Sequence, residues 1–394
     1  MICYDDAIDL LLGAVTPLAS EMMPIDRAAG RYLAQSVHAA IDAPRADVSA
    51  MDGYGVRMAD AQAGQWLGVV GEAAAGSPLG RAIEKGEAAR IFTGAHVPEG
   101  ADCVIMQEYA QRDGKNVRFA EGFGPARHIR ARAGDFSAGD RLLSQGDRLT
   151  PGAMIALAGA DVADVTLVRQ PRIAIIATGD ELVRPGQAHL SDHGLPESGS
   201  YGVAALAMTC GAIVVDTAQE RDDLERLTRA AQEALGKADC VVVIGGASVG
   251  DHDLARPMFA SANLREIFSK VAIKPGKPVW FGTADTVPVL GLPGNPSSAL
   301  VTARLFLAPL LASMQGGDGR AAVRAQPHIL SGSLAENGSR ETFVRARATQ
   351  NGLVPASNQE SGAQAPLASS DWLIRRPAGA QALGEGAIVP AIPF

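Results

Sequence analysis

From Arg172 to about Met314, short apolar runs alternate with stretches whose apolar residues recur at helical spacing. Residues 173–177, 212–215, 240–244 and 287–290 are nearly unbroken apolar runs, the pattern of strands buried on both faces of a parallel sheet. Residues 201–210, 222–235 and 297–311 predict the intervening helices, the last with Asn295 as N-cap and Pro296 at its first position. Such alternation predicts an α/β domain over 171–316 with helices on both faces of its sheet. Ligands in that architecture bind beyond the carboxyl ends of the strands.

Elsewhere the period changes. Residues 5–22 carry Ala7, Leu10, Leu11, Val15 and Leu18 at helical spacing and predict one amphipathic helix. From Pro24 to about Asp147, β-like pieces such as 68–70, 89–92, 101–106 and 116–119 are broken by Gly and Pro, which predicts an inserted, elongated β-rich domain over 24–135. Thr150-Pro151 opens another helix whose spacing predicts packing back on the first, giving a discontinuous helical/β domain of 1–23 and 136–170. Gln315 to Gly319 reads as a linker, and 320–394 as a small β-domain.

Bulk properties narrow the function. At 394 residues the chain exceeds one core, and 44 Gly with 23 Pro imply many turns. A net charge of −8 argues against a general nucleic-acid binder, so any anion must meet a local basic pocket. The start lacks a positively charged leader, and no apolar run approaches the roughly 20 residues of a membrane span. Cys3, Cys103, Cys210 and Cys240 are scattered, with no CxxC pair, so neither a disulfide framework nor a zinc site is expected and the expected compartment is the cytoplasm.

Three turns between Val241 and Ala299 are suited to anions. The first, Gly245-Gly246-Ala247-Ser248-Val249-Gly250-Asp251-His252-Asp253, follows a strand, and its glycines let backbone N–H groups converge on a phosphate. Asp251 and Asp253 stand where a divalent cation meets such phosphates. Ala247 excludes a GxGxxG fingerprint, and no Gly-Lys-Ser/Thr follows to make a Walker loop. The second turn, Lys274-Pro275-Gly276-Lys277-Pro278, stiffly holds two ammonium groups close together. The third is Gly291-Leu292-Pro293-Gly294-Asn295-Pro296-Ser297-Ser298. Thr178-Gly179-Asp180-Glu181 puts two carboxylates at a strand end, either to position a metal or substrate hydroxyl or as a plain polar terminus. Asp222 is a helix N-cap, a functional carboxylate, or both. Asp52 in Ser49-Ala50-Met51-Asp52-Gly53-Tyr54 is a reactive group or a turn former, and Phe92-Thr93-Gly94-Ala95 is a comparable turn. Arg127, Arg130 and Arg132 near Asp135 form a solvated basic face or a phosphate clamp.

These strings, in this order and over essentially the whole chain, resemble the molybdopterin molybdenumtransferases, a family to which the C-terminal domain of gephyrin also belongs. Met106-Gln107-Glu108, Gly245-Gly246 with Ser248-Val249-Gly250, and Leu292-Pro293-Gly294-Asn295-Pro296 share in the match. The resemblance implies a helical/β domain, an inserted β-domain, a pterin-binding α/β domain and a C-terminal β-barrel. It implies a homodimer whose site joins the α/β domain of one subunit to the inserted domain of the other, with the molybdopterin adenylyltransferase as a further candidate partner. The implied reaction is Mg²⁺-dependent insertion of molybdate into adenylylated molybdopterin with release of AMP. Asp52, Glu181, Asp222 and Asp253 match as catalytic residues, and Asp222, Asp251 and Asp253 as metal ligands. Thr93, Asp135, Thr178, Gly179, Asp180, Gly245, Gly246, Ser248 and Gly250 match as substrate-binding residues, and Lys274, Lys277, Ser298, Arg340 and Ser361 as the molybdate pocket. The chain departs from the pattern at His128-Ile129-Arg130, at Ala133-Gly134-Asp135, where one acidic group is missing, and at Glu197-Ser198-Gly199. The enzyme of the neighbouring adenylylation step resembles the α/β domain alone, so the Arg340 and Ser361 strings argue against that activity. Intact carboxylates and lysines argue against a non-enzymatic scaffold.

Overall fold

The computed structural model describes residues 1–190, 192–246 and 254–394. Its central sheet has six strands in the order Ile213–Glu220, Arg172–Thr178, Cys240–Ile244, Val287–Leu292, Trp280–Ala284, Arg265–Ser269. The first four are parallel and the last two antiparallel. The expected parallel sheet is therefore extended by an antiparallel pair. Gly282 interrupts one strand of that pair, and Arg265 and Glu266 charge the other, so neither shows a clean apolar run. Cys240–Ile244 is buried throughout, as an apolar run between two layers must be.

One face of this sheet packs against Gly199–Thr209 and the helical stretch Pro296–Met314, the other against Leu224–Lys237. Pro296–Met314 is long and apolar enough to cross a membrane by length and composition, contrary to the expectation that no run approaches that length. With 83% of it buried in the protein, it is a core helix. A π turn at Ala303–Leu307 lies just before Pro309, whose missing N–H interrupts the α ladder.

The first helix covers only Tyr4–Gly13 and not 5–22, because Gly13 weakens it and Pro17 cannot continue it. Its buried Tyr4, Ala7, Ile8 and Leu11 join the α/β core. The Tyr4 ring meets Phe306 at 5.7 Å and Phe343 at 5.0 Å, both edge-on. Arg375 pairs with Asp5 at 2.8 Å and Glu341 at 2.5 Å, so this helix ties the C-terminal sheet to the α/β unit.

Helix Pro151–Gly159, capped by the Thr150 hydroxyl, does not pack on the first helix as expected. Its Ala153 and Leu157 instead join Ala28, Leu33, Val165 and Leu167 in a separate small core. Ser20–Pro24 pairs with Asp164–Val168, and Val37–His38 with Arg141–Leu143. Residues 24–38 thus belong with this unit, and the inserted sheet begins nearer 48 than the expected 24. That sheet runs Cys103–Met106, Gly53–Val56, Glu87–Ile91, Leu67–Ala73, Asn116–Phe119, Ala110–Asp113.

The expected linker after Met314 is packed instead. Gln315 is buried, and its Nε2 donates to the Cys210 and Leu311 carbonyls at 2.9 Å each. In the C-terminal sheet, Ile273–Lys274 of the α/β unit lies parallel to Glu341–Thr349 as an edge strand. Trp372–Arg376, Ile388–Pro393 and Gln326–Ile329 follow in order, while Gly352–Pro355 also pairs with Glu341–Thr349.

Candidate functional site

The carboxyl ends of the parallel strands open onto a cavity of about 510 Å³. Thr178, Gly179 and Glu181 line it from one strand end, Asp222 from the next, Gly245 and Gly246 from the third, and Pro293 to Asn295 from the fourth. It sits where strand order reverses about Arg172–Thr178, the position at which this architecture leaves a crevice.

Backbone geometry explains the glycines. Gly245 has φ +102°, and a Cβ there would lie 2.4 Å from the Thr178 carbonyl oxygen. A Cβ on Gly294 would lie 3.4 Å from the Gly245 Cα, so two glycine turns meet backbone to backbone. Asp222 accepts a hydrogen bond from the Thr178 hydroxyl, and its own N–H donates to Asp180 at 3.3 Å. Asp223, not Asp222, caps Leu224–Lys237 by accepting from the Arg226 N–H at 2.9 Å, because it directly precedes the first helical residue. Asp222 is thereby left to the cavity. Glu181 folds back over Gly179, where a Cβ would come within 2.8 Å of its carboxylate.

Two lining residues had no assigned role. Glu197 is buried, and its carboxylate accepts from the Ser200 N–H at 2.8 Å and from the Ser200 hydroxyl. It caps the helix Gly199–Thr209, where Ser198 makes no side-chain cap bond. The signal was present in Glu197-Ser198-Gly199-Ser200, a carboxylate three residues before a helix-turn N–H. Gln364, from the C-terminal domain, closes another side.

A second cavity of about 850 Å³ adjoins the first and shares Pro278, Pro293 and Asn295 with it. Lys274, Lys277, Ser298, Arg340 and Ser361, the five residues matched to the molybdate pocket, all line it. Gly276, at φ +101°, presses on the helix Pro296–Thr302: a Cβ would sit 2.1 Å from Thr302 Cγ2. The lysine turn is therefore anchored on that helix. Lys274 pairs with Thr342, and Arg340 Nη1 donates to the Ile273 carbonyl at 3.2 Å, which carries Arg340 to the same turn. Asn295 makes no side-chain cap. Its Nδ2 donates to Ser361 Oγ at 3.1 Å instead. Three cations face one lining carboxylate, Glu360, an imbalance suited to a small dianion.

Asp52, Thr93 and Asp135 are not brought to these cavities within the chain. Asp52 precedes the strand Gly53–Val56 of the inserted sheet, and its Oδ1 accepts from the Thr93 N–H at 2.7 Å and hydroxyl at 2.8 Å. The Thr93 N–H, then its hydroxyl, hold this carboxyl below its ordinary pKa, so it stays ionised. Asp135 lines a separate cleft with Phe136, Asp140 and Ile155. Arg132 pairs with Asp42 at 2.6 Å and so serves a structural contact. Ser248, Gly250, Asp251 and Asp253 lie outside the described residues. Among the described residues no three His, Cys, Asp or Glu are grouped to hold a metal. The first cavity offers carboxylates and no imidazole or thiol among its described walls, a hard-oxygen set of the kind that suits a divalent cation such as Mg²⁺.

Comparison with known proteins identifies the family. Residues 2–160 match the MoeA N-terminal region (domains I and II), 174–313 a probable molybdopterin binding domain, and 328–394 the MoeA C-terminal region (domain IV). The molybdopterin molybdenumtransferase of Haemophilus influenzae is 37% identical over 319 residues, covering 80% of this chain and 78% of the relative. That of Staphylococcus aureus is 30% identical over 98% of this chain and 94% of its own. The solved molybdopterin biosynthesis MoeA protein of Pyrococcus horikoshii superposes over 100% of both chains with a TM-score of 0.87 at 24% identity, a likeness of fold. The chain belongs to the molybdopterin molybdenumtransferase family and is a transferase of molybdenum-cofactor biosynthesis.

Proposed function

We propose that this protein inserts molybdate into adenylylated molybdopterin, releasing AMP and leaving the metal on the dithiolene sulfurs. The observation that carries this reading is the adjoining pair of cavities, one built of glycine turns and carboxylates, the other of two lysines and an arginine. In this reading the turns at Gly245 and Gly294 bring backbone close to the pyrophosphate, where no Cβ intervenes. Asp222, with Glu181 beside it, would hold Mg²⁺, which when bound neutralises charge on the phosphates. Thr178 fixes the Asp222 carboxylate, and Asp180 fixes its backbone. Lys274, Lys277 and Arg340 bind the oxyanion, while Ser298 and Ser361 donate hydrogen bonds that orient it. Shared walls keep the oxyanion close to the pterin sulfurs.

The function is further proposed to belong to a homodimer, in which Asp52 and Thr93 of one subunit complete the cavity of the other. Their placement on the inserted sheet, away from the cavities of their own chain, supports that reading. Asp52→Asn keeps the oxygen that accepts from Thr93 and removes only the charge. It is expected to abolish cofactor formation with melting temperature and dimer mass unchanged; full insertion activity would remove Asp52 from the site.

Lys277→Ala tests the oxyanion pocket. Losing one charge-assisted contact is expected to raise the half-saturating molybdate concentration by about tenfold to a hundredfold. An unchanged molybdate requirement in steady-state AMP release contradicts the assignment.

A further inference from the structure

The strand Glu341–Thr349 turns Phe343 into the core shared with the α/β unit, and Arg345 lies two residues on, fully buried. Arg345 makes no ion pair with a carboxylate among the described residues. Its Nη1 donates to Ser297 Oγ and to the Ala363 carbonyl at 3.1 Å. Its Nη2 donates to the Asn358 carbonyl at 3.2 Å and the Glu360 carbonyl at 3.0 Å. Gln359 completes the wrap, accepting from the Arg345 N–H at 3.0 Å and donating to the Arg345 and Ala356 carbonyls at 2.8 and 2.9 Å. The segment 356–363 is thus wound around one guanidinium, and the guanidinium is pinned to the first turn of Pro296–Thr302.

A desolvated cation without a carboxylate partner is a costly way to fill a core, since apolar residues of similar volume often serve as well. The fork geometry of arginine supplies what an apolar residue lacks, several fixed donors on one rigid plane. Here those donors join two walls of one cavity: the segment bearing Ser361 and the turn bearing Ser298. The Asn295–Ser361 hydrogen bond at 3.1 Å crosses the same seam.

We propose that Arg345 is the positioning residue of the oxyanion pocket, locking the 356–363 segment onto the Pro296–Thr302 helix so that Ser361, Ser298 and Asn295 converge on Lys274, Lys277 and Arg340. Its unneutralised charge adds to the positive field that draws a dianion there. The inference rests on reading that cavity as the molybdate site. It assigns affinity for the oxyanion to a side chain that does not line the cavity.

Two full-length variants test it, Arg345→Lys and the milder Ser297→Ala, which removes one tether and keeps the guanidinium. Lysine retains charge but not the fork, so the half-saturating molybdate concentration should rise about tenfold, and about threefold for Ser297→Ala, each rise exceeding any fall in the maximal rate. Amide hydrogen exchange across 356–363 should quicken in both variants, with exchange in Cys240–Ile244 unchanged. A lower maximal rate at unaltered half-saturation, or unaltered exchange in that segment, overturns the proposal. Absence of any molybdate dependence in the unmodified protein refutes the reading of the cavity instead, and the exchange experiment still decides whether Arg345 holds the segment.

Discussion

Replacing Asp222 by Asn is expected to lower AMP release by about two to three orders of magnitude, the range seen when one group stabilising developing charge is removed. The substitution is close to isosteric. Asparagine keeps an oxygen to accept from the Thr178 hydroxyl, and the backbone N–H still donates to Asp180. Asp223 continues to cap Leu224–Lys237, so the helix does not depend on the lost charge. What disappears is the negative charge at the cavity wall, the feature required to hold a divalent cation against phosphates. Turnover at saturating substrate, beside an unchanged thermal transition, checks the expectation. Near-normal turnover would show that Asp222 serves only the strand end.

Gly245→Ala should act through stability as well as activity. The methyl group would meet the Thr178 carbonyl oxygen at 2.4 Å, and the residue already sits at φ +102°, where an L side chain is strained. Backbone strain and overpacking each cost about 1–3 kcal/mol, so a loss of about 2–6 kcal/mol is expected against a typical total of about 5–15 kcal/mol. Relief by moving the turn would push it toward Gly294, whose added Cβ position is 3.4 Å from the Gly245 Cα, and narrow the phosphate cavity from that side. Denaturant titration measures the first effect and AMP release the second. A stability change below about 1 kcal/mol would mean that the turn relaxes freely, contrary to this packing.

What was legible in the chain followed from the strength of the local period. Cys240–Ile244 could be placed to the residue because five consecutive buried side chains leave little choice of element. The antiparallel pair Arg265–Ser269 and Trp280–Ala284 escaped notice because its burial is uneven and Gly282 interrupts it. Pro17 marked the end of the first helix, yet Val15 and Leu18 kept the apparent period going beyond it. What that helix packs against could not be read at all, since Tyr4 meets Phe306 and Phe343 more than 300 positions away. Of the site, the turns and their charged residues were visible as strings, and the structure gathers Lys274, Lys277, Ser298, Arg340 and Ser361 on one cavity. Asn295 was legible as a cap position but not as the donor to Ser361, and Arg345 was missed, because both act through hydrogen bonds to partners that only folding brings close. Glu197 was missed although its partner Ser200 stands three residues on. Arg345 left little trace, since Arg347 repeats the same charge two residues on in the strand and only folding shows that Arg345 is the buried one.

The most direct test is AMP release from adenylylated molybdopterin by the purified protein with Mg²⁺, measured with and without molybdate. The account predicts release that depends on molybdate and saturates with it, because the oxyanion occupies the cavity beside the cleaved pyrophosphate. Release at the same rate without molybdate, or none in its presence from a folded protein, would contradict it.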